Sequence, residues 1–129
     1  MVRGVILCAA LGVAGCATGQ VDRTSSDAAE MAEALAGRTA GPAARCISLS
    51  ATDAPRIVGE TLIYRAGRTL WVSAARDGCS SLRGDPITVV EVNGNQLCAG
   101  DRFQTLPRNG VIPGPYCRFG SFVPYTRPK

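Results

Sequence analysis

The side chains of this sequence that could do chemistry are chiefly thiols and carboxylates, because the chain has six cysteines and no histidine. Without histidine the chain lacks the usual general base and the commonest metal ligand, which excludes triads of the Ser-His-Asp and Cys-His kinds. Four cysteines lie beyond residue 45: Cys46, Cys79, Cys98 and Cys117. An even number in a small exported domain predicts two disulfides. Zinc is the alternative, but no two of the four form a C-x-x-C pair.

Four cysteines allow three pairings. We expect Cys79 to pair with Cys98, which would join the two hairpin regions, and Cys46 to pair with Cys117, which would tie the ends of the domain together. If all four are paired, no thiol is left to act as a nucleophile.

Carboxylates are the other candidates, since glycosidases work with a pair of them. The six to consider are Asp53, Glu60, Asp77, Asp85, Glu91 and Asp101. Nothing in the sequence pairs them. Three of the four aspartates among these six, Asp77, Asp85 and Asp101, stand beside glycine or proline, where aspartate ordinarily serves a turn. We therefore predict no catalytic residue, no cofactor and no metal ligand.

A ligand patch could instead form around the single tryptophan. Trp71 lies between Leu70 and Val72, so in a strand its ring faces away from theirs. It either packs under the tether or an edge loop, or forms an exposed ligand patch with Tyr116 or Tyr125. We group Asp101 with these three aromatic residues, because Cys98 three residues earlier could fix its backbone.

The N-terminal segment predicts export. The apolar run Val5 to Val13 follows Arg3 and precedes small residues, as in a secretory signal peptide. Nine residues are too few for a membrane-spanning helix, which needs about 20. The segment VAGC, Val13 to Cys16, resembles the lipobox of bacterial lipoproteins. Cys8 competes as the acylated residue, but it follows a bulky leucine, and an ordinary cleaved secretory signal is the other reading.

The lipobox resemblance implies that Cys16 becomes a diacylated or triacylated first residue of the mature chain. Two or more acyl chains hold a protein firmly on a membrane. Ala17 follows Cys16 where inner-membrane lipoproteins of enteric bacteria tend to have aspartate. The resemblance therefore implies the periplasmic face of the outer membrane.

The composition divides the chain into a signal peptide at residues 1–15, a lipidated tether at 16–44 and a folded domain at 45–129. The tether is rich in alanine, glycine, serine and threonine. Within it, Ser26 could cap a short helix that ends near Gly37. Met31 and Leu35 are the only large apolar side chains of that helix, so we expect it to be marginal and to dock weakly.

Strand-like runs separated by turn residues fill the folded domain. Residues 60–75 predict a hairpin with Gly67 at its turn, and residues 87–103 predict a second hairpin around Asn93-Gly94. We predict an all-β fold, a small antiparallel sheet or barrel-like domain stapled by two disulfides and preceded by a flexible or marginally helical tether. The expected core comprises Ile47, Leu49, Val58, Leu62, Tyr64, Leu70, Val72, Leu82, Val89, Val92, Leu97, Phe103, Phe119 and Phe122.

The charge of the chain is mild. Its formal net charge is +4, and thirteen of its fourteen basic residues are arginines scattered along the sequence. Nucleic-acid binding would require these residues to be clustered. No nucleic-acid partner is expected.

Several segments together resemble an uncharacterised family of small proteobacterial lipoproteins: RCI at residues 45–47, LIYRAGRTLWV at 62–72, CSSLRGD at 79–85, LCAGD at 97–101 and CRFGSFVPYT at 117–126. The family carries no known activity. The resemblance therefore implies one disulfide-stapled domain and no particular chemistry.

From these features we expect a lipid-anchored envelope protein with a structural or binding role, in contact with the membrane through its anchor and with an envelope protein or peptidoglycan as its partner. Two alternatives remain open. One is an inhibitor of a cell-wall hydrolase, although such enzymes are commonly basic and a positively charged partner would be repelled at long range. The other is a carboxylate-based envelope hydrolase.

Overall fold

The structure, a computed structural model, describes residues 18–129, with side chains from Asp22 onward. It begins with one helix, α1 (Thr18–Ala34). The strands that follow are β1 (Thr39–Ala40), β2 (Cys46–Ser48), β3 (Arg56–Val58), β4 (Thr61–Ala66), β5 (Thr69–Arg76), β6 (Ile87–Val90), β7 (Gln96–Cys98), β8 (Arg102–Leu106), β9 (Cys117–Phe119) and β10 (Val123–Thr126). Two single 3₁₀ turns lie at Leu49–Ala51 and Ser80–Leu82.

The strands form a main sheet and a small ribbon, and every pairing is antiparallel. In the main sheet the order is β1-β10-β5-β9-β8-β6, and β4 pairs with β5 on one side and β3 on the other. The ribbon joins β2 to β7. The predicted antiparallel β fold stapled by two disulfides is confirmed.

Each face of the β4–β5 hairpin is covered by a different apolar cluster. Leu62, Tyr64 and Trp71 face the main cluster, which also contains Phe103, Phe119 and Phe122. On the opposite face, Ile63, Leu70 and Val72 pack against Met31 of α1 and Leu35, which directly follows α1. This two-sided burial explains why β4 reads as a continuous apolar run rather than an alternating one.

The first predicted hairpin is confirmed. Thr61 pairs with Ala74 and Ala66 pairs with Thr69. Gly67 has a positive φ of 58° at the turn, a conformation that glycine adopts without strain.

The second predicted hairpin is wrong in its strand partners. A tight turn does form, with a bridge from Asn93 to Gln96 and a positive φ at Gly94. The strands on either side diverge, however: β6 pairs with β8, and β7 pairs with β2. Pairing with β2 places Leu97 opposite Ile47, where both side chains are buried.

Ten of the fourteen predicted core residues are buried, and two more, Leu49 and Val72, are partly buried. Val89 and Val92 are exposed instead of buried, and Ile63 is buried although it was not predicted. On β6, Thr88 and Val90 are partly buried on one face, whereas Ile87 and Val89 are exposed on the other. A shift of one residue in a strand exchanges the buried and exposed sets.

The predicted disulfide pairing is also wrong. The bonds are Cys46–Cys98 and Cys79–Cys117. The first joins residues that the β2–β7 register sets directly opposite each other. The second lies beside the pairing of β5 with β9, which brings two distant parts of the chain together.

The predicted short helix exists but begins eight residues earlier, so Ser26 lies inside α1 and does not cap it. The end is close to the prediction, with Gly37 at a φ of 69° just beyond the last turn. Two ion pairs join α1 to the rest of the domain, Glu30 to Arg56 and Asp27 to Arg83, both at 2.9 Å. Together with Met31 and Leu35, these contacts hold α1 against the sheet more closely than the sequence predicts.

Candidate functional site

The predicted ligand patch is not assembled, because the sheet separates two of its aromatic residues. Trp71 is partly buried against the main cluster. Tyr125 pairs with Leu70 and packs with it on the α1 face. The prediction that Trp71 points away from Leu70 is correct, but the face it occupies is the main core.

The other two residues of the patch have separate local roles. The exposed ring of Tyr116 lies 4.7 Å from the Arg102 guanidinium carbon. Arg102 donates to Glu91 at 2.8 Å. The pKa of Glu91 is lowered chiefly by its hydrogen bond from Tyr116 and secondly by the one from Arg102. The carboxylate of Asp101 accepts the Cys98 backbone N–H at 2.7 Å and so closes a turn.

Two more carboxylates serve turns. Asp77 and Asp85 both have positive φ values, 61° and 54°, in the left-handed region that aspartate tolerates better than most residues. Asp85 also pairs with Arg108 at 3.0 Å. Both residues therefore lie at turns of the backbone.

Glu60 and Asp77, two of the six carboxylates considered above, share one depression. Both line a depression of about 370 Å³ beside the Cys79–Cys117 disulfide. The Glu60 carboxylate, however, accepts the Cys79 backbone N–H at 2.7 Å and lies 3.4 Å from the Arg83 guanidinium. This carboxylate therefore stabilises the start of a 3₁₀ turn.

A cleft of about 580 Å³ lies between α1 and the sheet. It contains the Glu30–Arg56 and Asp27–Arg83 ion pairs, so its charges largely neutralise one another. Arg23 also lines this cleft. Paired charges of both signs do not select a ligand of either sign.

An apolar tip protrudes on the loop between β8 and β9. Val111 and Ile112 are 90% and 79% exposed, the highest values among the large apolar residues of the described chain. We call residues 107–115 the tip loop. Its sequence contains three prolines, at positions 107, 113 and 115, each of which fixes one backbone angle.

The base of the tip loop is held by hydrogen bonds. The Gly114 N–H donates to the Thr105 carbonyl at 2.7 Å, and the Gln104 side chain donates to the Gly114 carbonyl at 3.0 Å. Arg108 donates to the Asp85 carbonyl at 2.9 Å. Two residues beyond the loop, Cys117 is in a disulfide. A loop constrained in this way presents its apolar side chains with little further entropy to lose on binding.

A second apolar feature lies on β6, which ends the main sheet. Ile87 and Val89 are 45% and 51% exposed on one face of this strand. The sequence contained the signal for this surface, a run of four β-branched residues at 87–90, but reading Val89 as core hid it.

All four cysteines beyond residue 45 are in disulfides. Within residues 18–129, no group of three or more cysteine, aspartate or glutamate side chains is arranged to hold a metal ion. No described helix combines the length and the apolar character that crossing a membrane requires. The predicted acylation site Cys16, its competitor Cys8 and the predicted signal peptide lie outside the described residues.

Comparison with known proteins adds no relative. No family model matches the sequence, and no curated protein or solved structure is detectably similar to it.

Proposed function

We propose that this protein is a lipid-anchored binding protein of the bacterial cell envelope, acylated at Cys16 and facing the periplasm from the outer membrane. The observation that carries the proposal is the pairing of every cysteine beyond residue 45 into two disulfides. Such bonds persist in the periplasm and are rare in the cytosol. The VAGC segment supplies the anchor.

The anchor would hold the domain close to the bilayer. Arg23 already lines the cleft between α1 and the sheet, and it follows Cys16 by seven residues. Seven residues span at most about 25 Å even when fully extended. The proposed protein therefore acts at the membrane surface, without a long tether.

The tip loop is the surface proposed for binding. Val111 and Ile112 are aliphatic, and burying exposed aliphatic side chains against another apolar surface lowers the free energy. A glycan partner such as peptidoglycan would be expected to stack on aromatic rings, and the tip itself has none. An envelope protein is therefore the partner that fits this loop.

Anchoring is tested by labelling cells with radioactive palmitate. The wild-type chain and the matched variant Cys8→Ser should incorporate label, and Cys16→Ser should not. Incorporation by Cys16→Ser would overturn the anchor assignment.

Binding is tested by placing a photoreactive amino acid at Val111 or Ile112 of the full chain in living cells. Irradiation should produce a discrete adduct with another protein at these two positions. The matched control is Arg68, which is exposed at the β4–β5 turn. Absence of an adduct at 111 and 112, or the same adducts at 68, would contradict a binding role for the tip loop.

A further inference from the structure

We infer that β6 is a self-association edge, through which two copies of this protein join their sheets in antiparallel fashion about a two-fold axis centred on Val89. This interaction goes beyond the proposed function and does not depend on the tip loop. The argument rests on the hydrogen-bonding direction of the strand, its register and its exposed side chains.

One edge of β6 is unpaired in the described chain. β6 pairs only with β8, and it ends the strand order of the main sheet. The Glu91 N–H donates to the Arg102 carbonyl at 3.1 Å, and these two residues continue the β6–β8 register. Hydrogen-bonded pairs alternate along an antiparallel ladder. Val89 and Ile87 therefore bond toward β8, whereas Thr88 and Val90 direct their N–H and C=O groups outward.

An unpaired strand edge is usually protected by shortness, charged side chains, proline or a bulge. β6 is short, but within Ile87–Val90 it has no charge, proline or bulge: all four residues are β-branched and uncharged. β-branched residues are the most favourable for sheet formation. The edge is therefore suited to accept another strand.

The register selects a second copy as the occupant. In an antiparallel pair centred on Val89, Thr88 of each copy lies opposite Val90 of the other. The outward N–H and C=O groups of both residues are then satisfied by four backbone hydrogen bonds. Centring on Thr88 instead would set Val90 opposite Pro86, which has no N–H to donate. The Val89 register satisfies the edge with residues of the strand itself.

Side chains and charges fit the same register. Val89 would face its own counterpart, with Ile87 of the other copy on the diagonal, so the exposed apolar side chains of both strands would form one row. Glu91 would lie opposite Ile87, and Asp85 opposite Asn93, so no like charges would meet. A two-fold interface of this kind requires only one self-complementary surface.

Cysteine cross-linking of the full chain in membranes tests the register. Val89→Cys should form a disulfide-linked dimer under mild oxidation, because facing residues of a non-hydrogen-bonded pair lie close enough to be bridged. Ile87→Cys alone should stay monomeric, but Ile87→Cys mixed with Glu91→Cys should give a dimer. Arg68→Cys is the matched control, because Arg68 is exposed at the β4–β5 turn and lies outside both β6 and the tip loop.

The inference would be overturned if Val89→Cys cross-linked no more than Arg68→Cys, or if it cross-linked to another protein but not to itself. Sedimentation of the purified full chain in density-matched detergent is a second readout that needs no new thiol. Wild type should sediment as a dimer, whereas Val89→Lys and Val89→Glu should each be monomeric. An equimolar mixture of these two variants should recover the dimer, and a monomeric wild type would contradict the inference.

Discussion

Cys46 and Cys98 are directly opposite each other in the β2–β7 ladder and are also covalently joined. Arg45 and Ala99, the next pair along, are hydrogen-bonded, so the disulfide crosses a non-hydrogen-bonded pair of the ladder. A bond in this position fixes the register of a two-stranded ribbon, which would be marginal by itself. It also fixes the positions of Ile47 and Leu97 in the core.

The two disulfides should differ in their contribution to stability. They close loops of similar length, with sequence separations of 52 and 38, and a loop of either size corresponds to about 4 kcal/mol in the chain-entropy model. Cys79 and Cys117 are also buried in the main cluster. We expect the pair Cys79→Ala/Cys117→Ala to lower the free energy of unfolding more than Cys46→Ala/Cys98→Ala, as measured by urea unfolding. The reverse order would contradict the described core.

Tyr64 is a buried residue whose hydroxyl has no hydrogen-bond partner among the described residues. Leaving such a group unsatisfied costs about 1–3 kcal/mol. We expect Tyr64→Phe to raise the free energy of unfolding by about 1 kcal/mol. Phe122→Leu, which removes a neighbouring aromatic ring, should lower it. Destabilisation by Tyr64→Phe would show that the hydroxyl is satisfied.

Because Tyr64 is buried, we also expect the free energy of unfolding to depend on pH in alkaline solution. Burial raises the pKa of Tyr64 above its ordinary value of 10, so above pH 10 the unfolded chain loses this proton while the folded chain keeps it. The unfolded state then binds fewer protons, and stability falls as pH rises, by up to about 1.4 kcal/mol per pH unit. Urea unfolding between pH 9 and 11 should show a steeper loss for wild type than for Tyr64→Phe. Parallel curves would contradict this assignment.

How far the sequence could predict this fold depended on whether the signal was local. Gly67 marks its own turn, and the prediction of the β4–β5 hairpin was correct. The turn at Asn93-Gly94 is equally local, but a turn does not choose the partners of strands that continue past it. Those partners are set by tertiary burial of Leu97 against Ile47, which no short segment encodes.

For the candidate site too, the sequence indicated the local features and missed the long-range ones. The sequence indicated turn roles for Asp85 and Asp101. Asp101 closes its turn by a local hydrogen bond to Cys98, and Asp85 has a positive φ. It did not indicate that the face bearing Leu70 would be covered by α1, because Met31 and Leu35 seemed too few to dock a helix. Ion pairs between α1 and residues far along the chain complement that apolar contact, and sequence spacing does not predict them.

Docking of α1 should depend more on its apolar contacts than on its ion pairs. Exposed ion pairs contribute little to stability, and the side chains of Glu30 and Arg56 are each about half exposed. We expect Met31→Ala/Leu35→Ala to release α1 and to speed tryptic cleavage after Arg23. Arg56→Gln should have a smaller effect. Glu33→Ala, at an exposed position of the same helix, is the matched control and should cleave at the wild-type rate.

Position 120 requires glycine because the backbone of β5 lies very close to it. A Cβ atom there would lie 2.5 Å from the Ala74 carbonyl oxygen, which also accepts the Gly120 N–H at 2.9 Å. Because the obstructing atom belongs to the backbone of β5, it has little freedom to move. We expect Gly120→Ala to lower the thermal unfolding midpoint markedly, whereas Ser121→Ala, at the exposed neighbouring position, should leave it nearly unchanged. Equal midpoints would contradict the packing of this turn against β5.

The central proposal, an acylated and disulfide-paired envelope protein, is tested most directly by the intact mass of the chain isolated from cells after alkylation without reduction. The predicted species begins at Cys16, carries two or three acyl chains and has no alkylated thiol among residues 17–129. A chain that retains Met1, lacks acyl groups and is alkylated at Cys46, Cys79, Cys98 and Cys117 would contradict the proposal.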